Sequence, residues 1–157
     1  MPHDGSSDGH DTISLPSMIE KTIPADYRWV RRRIHEIEDE LVAGGVPSED
    51  IGSISIVLAE VLNNVVEHAF ATSDGEDIRL ILRVRSKSLL FEIRDKGKPM
   101  PKGRAPVGNH PMCEFNQFDA LPEGGYGWFL IRELVQDLVY DRQDDENILF
   151  FRYRLDA

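Results

Sequence analysis

The chain has 157 residues, enough for one domain around one core, and its 41% hydrophobic content can fill that core. A formal net charge of −10 argues against a general nucleic-acid or anionic-membrane surface and suits a protein that meets another protein or a bound ligand. Cys113 is the only cysteine, which excludes an internal disulfide and a cysteine-rich metal site.

No apolar run approaches the length of a bilayer span. The opening MPHDGSSDGHD has neither the basic region nor the hydrophobic core of a signal peptide, so the expected location is the cytoplasm. Residues 1–12 have almost nothing to bury and are expected to form a disordered tail, with His3 and His10 solvated. Residues 13–157 are expected to form the domain.

Met18–Ile23 reads as a strand ended by Pro24. Ala25–Gly44 reads as a helix with Tyr27, Val30, Ile34, Ile37 and Leu41 as its apolar stripe, stopped by Gly44-Gly45. Its Arg31-Arg32-Arg33 run is expected to be a solvated face balanced by Glu36, Glu38, Asp39 and Glu40. Ser48 is a candidate N-cap for the next helix, with Glu49 and Asp50 in its first turn. Ile54–Phe70 is expected to be one long helix, because Ile54, Leu58, Val61, Leu62, Val65 and Ala69 recur at three- and four-residue steps.

Ile78, Leu80, Leu82 and Val84 alternate with polar residues, as do Leu89, Phe91 and Ile93, which predicts a hairpin turning at Ser86-Lys87-Ser88. Lys96–Gly124 is rich in proline and glycine, and a loop that long in a small domain is usually functional or disordered. Gly127–Asp137 has helical spacing. Leu138–Arg142 and Ile148–Leu155 predict a second hairpin turning at Gln143–Asn147. The expected fold is α+β: a two-layer sandwich of a mixed, mainly antiparallel sheet with three helices on one face.

Three stretches interrupt these patterns with chemistry. Glu60 and Asn64 stand four apart on one helix face. The amide oxygen is a hard ligand suited to magnesium, and the carboxylate can take a proton from a hydroxyl or water. A solvated polar face is the plainer reading, opposed by Asn63-Asn64, a pair that a mid-helix position disfavours. Asp95, at a strand end before Gly97, can accept a hydrogen bond from an exocyclic amine such as that of adenine, although Asp-x-Gly is also common turn chemistry. Gly124-Gly125-Tyr126-Gly127 feeds a helix N-terminus, where free N–H groups suit a phosphate, unless the glycines only serve the turn.

Together and in this order, the three stretches resemble the N, G1 and G2 boxes of the GHKL (histidine kinase-like) ATPases, the family of gyrase, the Hsp90 chaperones, MutL and the histidine kinases. GGYGWFLIRELVQDLVYDR is similar in pattern to the anti-sigma factor serine/threonine kinase subgroup, and the resemblance runs from about Met18 to Leu155. It implies ATP and Mg²⁺ as cofactors. Asn64 would bind the metal, and Glu60 would be the general base toward water or a protein serine. Asp95 would meet the adenine amine with Gly97 beside it, and Gly125 and Gly127 would contact the phosphates. Lys98–Glu123 would be the lid, and His68 is assigned no chemistry.

The implied partners are an anti-sigma antagonist (anti-anti-sigma) protein as substrate and a sigma factor or other regulator, with no direct nucleic acid and no membrane; a homodimer is common among such relatives. Pro99 departs from the glycine usual in that box, as do Lys96 and Lys98 from small or neutral residues. This departure leaves a second reading, a non-catalytic nucleotide-sensing module that binds protein.

Overall fold

The computed structural model describes residues 12–69, 76–108 and 126–155. Residues 1–11 of the expected tail and residues 109–125 of the long loop lie outside the described residues. Among the described residues the order is β1 (Met18–Ile23), α1 (Tyr27–Ala43), α2 (Ser48–Asn64), β2 (Ile78–Arg85), β3 (Ser88–Asp95), α3 (Tyr126–Leu134), β4 (Gln136–Gln143) and β5 (Glu146–Arg154).

The alternation in β2 and β3 does what a period of two requires. Leu80, Leu82, Leu89, Phe91 and Ile93 share one face and are fully buried, joined by Leu149, Phe151 and Tyr153 of β5. Phe91 pairs with Phe151 in register, and their rings stack at 5.0 Å. The strand order is β1-β2-β3-β5-β4. All four pairings are antiparallel, so the parallel component that a mixed sheet allows is absent among the described residues.

The three helices cover the buried face. α1 contributes Val30, Ile34, Ile37 and Leu41, and α2 contributes Ile54, Val57, Leu58, Val61 and Leu62. Each such aliphatic side chain is worth about 1.5–3 kcal/mol when fully buried. Tyr27 is 53% exposed and not part of the stripe, because it is the first helical residue, a turn before Val30. Gly45, at φ +83, leaves α1 in a left-handed conformation open to glycine. In the basic run, Arg33 pairs with Glu36 at 2.9 Å, and Arg32 and Arg33 both lie over the Trp29 ring.

Several boundaries differ from the expectation. α2 starts at Ser48, one residue earlier than a Ser48 N-cap implies, with Pro47 at the N-cap, no side-chain cap bond, and Glu49 and Asp50 in the first turn as expected. It stops at Asn64, where the chain loosens into a π turn, Val65–Ala69; Phe70 lies outside the described residues. α3 ends at Leu134 and β4 begins at Gln136, so Asp137 belongs to a strand. It sits at φ 54, where the β4–β5 register slips between Gln136 and Val139. The second hairpin turns more tightly than expected, at Asp144-Asp145, both with positive φ as a primed two-residue turn needs. Asn147 is therefore a strand residue. No helix among the described residues is long and apolar enough to cross a membrane.

Candidate functional site

Asn64 and Asp95 line the same cleft, about 380 Å³ in volume, between the end of α2 and the end of β3. Pro99, Met100, Pro106 and Trp128 supply apolar walls, and Lys98 also faces it. A mostly apolar cleft with a few placed polar groups is the usual form of a small-molecule site. Asn64 reaches it because α2 ends there; the π turn that follows is a feature often found at functional sites. Asn63, its neighbour, lines a different groove between α1 and α2.

Asp95 is buried. Its Oδ1 accepts the Gly97 backbone N–H at 2.9 Å and the Asn147 amide N–H at 2.9 Å. Oδ2 has no protein donor among the described residues. Burial raises the Asp95 pKa above the ordinary carboxylate value, against the opposing effect of those two hydrogen bonds and the charge of Arg142. A buried carboxylate with one oxygen fixed and one open is suited to reading an amine N–H.

Asn147 was not legible as a site residue. Its Nδ2 also donates to Lys98 O at 2.8 Å and Gly97 O at 3.3 Å. Its Oδ1 accepts from Tyr140 Oη at 2.5 Å and Arg142 Nη1 at 2.7 Å. Arg142 donates to Gly97 O at 3.1 Å, and Met100 N donates to Tyr140 Oη at 3.1 Å. Three residues of the β4–β5 hairpin thus hold segment 97–100, the start of the expected lid, against the base of the cleft. Asn147 lines the cleft but uses its whole hydrogen-bonding capacity on protein atoms, so its polar influence on a ligand passes through Asp95. The available signal was strand alternation through Tyr140 and Arg142, obscured by the assumed longer turn.

Glu60 is exposed and is not among the residues lining the cleft. It faces the start of α3: a Cβ on Gly127 would collide with the Glu60 carboxylate. Glycine at 127 leaves the Glu60 carboxylate room to lie against the start of α3. The structure therefore brings Asn64 and Asp95 together at the cleft, binds Gly97 to Asp95 through its backbone N–H without placing it in the cleft lining, and sets Glu60 against Gly127. Gly125 lies outside the described residues, as do Gly124 and the lid from residue 109 to 123. No group of three or more His, Cys, Asp or Glu side chains able to hold a metal occurs among the described residues.

Residues 23–153 match the family model of the histidine kinase-like ATPase domain. The chain is 29% identical over 140 residues to the serine-protein kinase RsbW of Halalkalibacterium halodurans, covering 87% of this chain and 83% of the relative. It is 23% identical over 141 residues to the RsbW of Staphylococcus aureus, covering 89% of each. Among solved structures, the RsbU and RsbW domains of Rv1364c from Mycobacterium tuberculosis superpose with a TM-score of 0.62 at 16% identity, over 89% of this chain and 33% of that one. That likeness is one of fold. With the match spanning all three of its motif-bearing stretches, this chain belongs to the histidine kinase-like ATPase domain family.

Proposed function

We propose that the protein binds ATP with Mg²⁺ in the Asn64–Asp95 cleft and transfers the γ-phosphoryl group to a serine of a small antagonist protein. The observation that carries this reading is the cleft itself: an open carboxylate oxygen on Asp95 and the Asn64 amide at two sides of an apolar slot. The adenine amine would donate to Asp95, and Met100 and Trp128 would flank the base. The donor set fits a magnesium ion held mainly by phosphate and water, with the hard Asn64 amide oxygen as the protein's ligand. Bound there, the ion would neutralise phosphate charge.

Glu60, beside α3 and outside the cleft lining, would accept the proton of the attacking hydroxyl, and the Gly127 region at the α3 N-terminus would face the phosphates. Phosphoryl transfer needs mainly positioning and electrostatics, which a domain of this size can supply. The relatives' name, serine-protein kinase, supports a protein serine as the acceptor. The resemblance to the anti-sigma factor kinases implies an antagonist protein as substrate, a sigma factor or other regulator as partner, a cytoplasmic location and a homodimer.

The second reading, a nucleotide-sensing module without chemistry, is favoured by the position of Glu60 outside the cleft lining and by Pro99 in the cleft wall. One experiment separates the two. The protein is incubated with γ-labelled ATP, Mg²⁺ and the small regulator encoded beside its gene. Label on a serine of that regulator supports the kinase; tight nucleotide binding with no label supports the module.

A further inference from the structure

At one end of the sheet face turned away from the helices, four of that face's six arginines form a grid. Arg83 pairs in register with Leu90, and Leu90 with Arg152. Two residues along, Arg85 pairs with Ser88, and Ser88 with Arg154. Register partners point to the same face, so β3 runs between two arginine columns with Leu90 and Ser88 on its floor. Strand geometry puts the columns about 10 Å apart and the arginines within each about 7 Å apart.

Little on the protein neutralises this grid. Arg83 bonds the buried Glu92 at 2.8 Å, but Glu92 is shared with Arg94. Arg152 reaches Asp137 at 3.1 Å, a half-exposed pair of the kind worth little. Arg85 and Arg154 are exposed and have no carboxylate partner among the described residues. Lys87 in the adjoining turn is exposed too. Clustering like charges on one sheet face costs stability, and this chain carries a net charge of −10 that could have supplied partners. Beside the grid, Met18 is 50% and Phe150 38% exposed on the same face. Arginine mixed with exposed Met and aromatic side chains is the composition of a protein interface.

We infer that this face is a docking surface for an extended, acidic segment of a partner protein. Such a segment lying over β3 sends alternate side chains to its two sides. Carboxylates at i and i+2 meet the β2 column, and those at i+1 and i+3 meet the β5 column, at the spacing of both strands. Arginine suits the role, since its fork binds a carboxylate through two N–H donors. Nucleic acid fits less well: at the other end of the same face Arg79 and Arg94 are paired with Glu20 and Glu146, and Asp141 adds a carboxylate, so no uncompensated positive charge continues for a phosphate chain. The inference is independent of the nucleotide cleft, which lies at the helix-covered side.

The test is an NMR titration of the full ¹⁵N-labelled chain at low salt with a capped peptide of four consecutive glutamates between glycines. Amides of Leu89, Leu90, Arg152 and Tyr153 should shift, and the affinity should fall with added salt. R85E/R154E should weaken binding by roughly tenfold or more while the amides of the nucleotide cleft stay in place. The milder R85Q/R154Q guards against loss of fold and should weaken it less. No shift on this face, shifts confined to Arg31–Arg33 on α1, equal binding of a peptide with four glutamines in place of the glutamates, or equal binding of an eight-residue oligothymidine would each overturn the inference.

Discussion

Asn147 donates its side-chain amide to Oδ1 of Asp95 across 2.9 Å, from a register position directly beside it although the two lie 52 residues apart. That bond fixes which oxygen of Asp95 remains for a ligand. The same Asn147 holds Gly97 and Lys98 by their carbonyls, so the acceptor and the start of the lid are set by one side chain. N147L should lose stability by about 1–3 kcal/mol, because several buried polar groups lose their partner. It should also weaken ATP binding. Urea denaturation checks the first part, and an unchanged midpoint would contradict it.

Much of the fold could be read in advance where an element is amphipathic and local. Ile78, Leu80 and Leu82 alternate, and Val30, Ile34, Ile37 and Leu41 step by helical spacing, so their faces follow from period alone. The misjudged ends have no such signal. Nothing between Leu134 and Gln136 resembles a helix stop, and the helical spacing of Ile131, Leu134 and Val135 invites a longer α3. The candidate site was legible where one residue type carries the chemistry, as at Asn64 and Asp95. Asn147 was hidden because its role comes from a long-range strand pairing, and Ser48 was overvalued because its hydroxyl makes no cap bond.

ATP affinity should fall with acid through a titration that Asp95 owns. Burial raises its pKa above 3.8, so the ligand-free carboxyl takes up a proton at a higher pH than an exposed one. An amine N–H donated to it favours the ionised form. Binding is then strongest above the raised pKa and weakens as pH drops through it. D95N carries every other titrating group, so its profile should lack this limb. Identical acid limbs in the two proteins would contradict the assignment. Arg142 and Glu146, whose charges act on Asp95, are common to both.

Gly127 should be required for chemistry more than for folding. Alanine is the better helix former by about 1 kcal/mol, and the group it displaces is the end of an exposed, flexible Glu60. G127A should therefore melt no lower than the parent while transferring phosphate more slowly. A marked fall in melting temperature would show that the close approach is structural.

Glu60 should act on rate and not on affinity. E60Q keeps size and hydrogen bonding but cannot accept the proton. It should bind ATP within a few-fold of the parent and transfer phosphate about 100-fold more slowly or worse. Transfer at the parent rate would remove the base and leave the nucleotide-sensing module as the better reading.

The central claim, that the Asn64–Asp95 cleft is an adenine nucleotide site, is tested most directly by calorimetric titration of ATP and GTP, each with Mg²⁺, into the parent protein and D95N. The parent should bind ATP and prefer it to GTP. In D95N the Asn147 bond can persist, while an amide N–H faces the base where a carboxylate oxygen stood. ATP affinity should drop by roughly tenfold or more, and GTP, whose O6 accepts, should lose little or gain. Equal ATP and GTP affinities that do not change between the two proteins, or no ATP binding by the parent, would contradict the account.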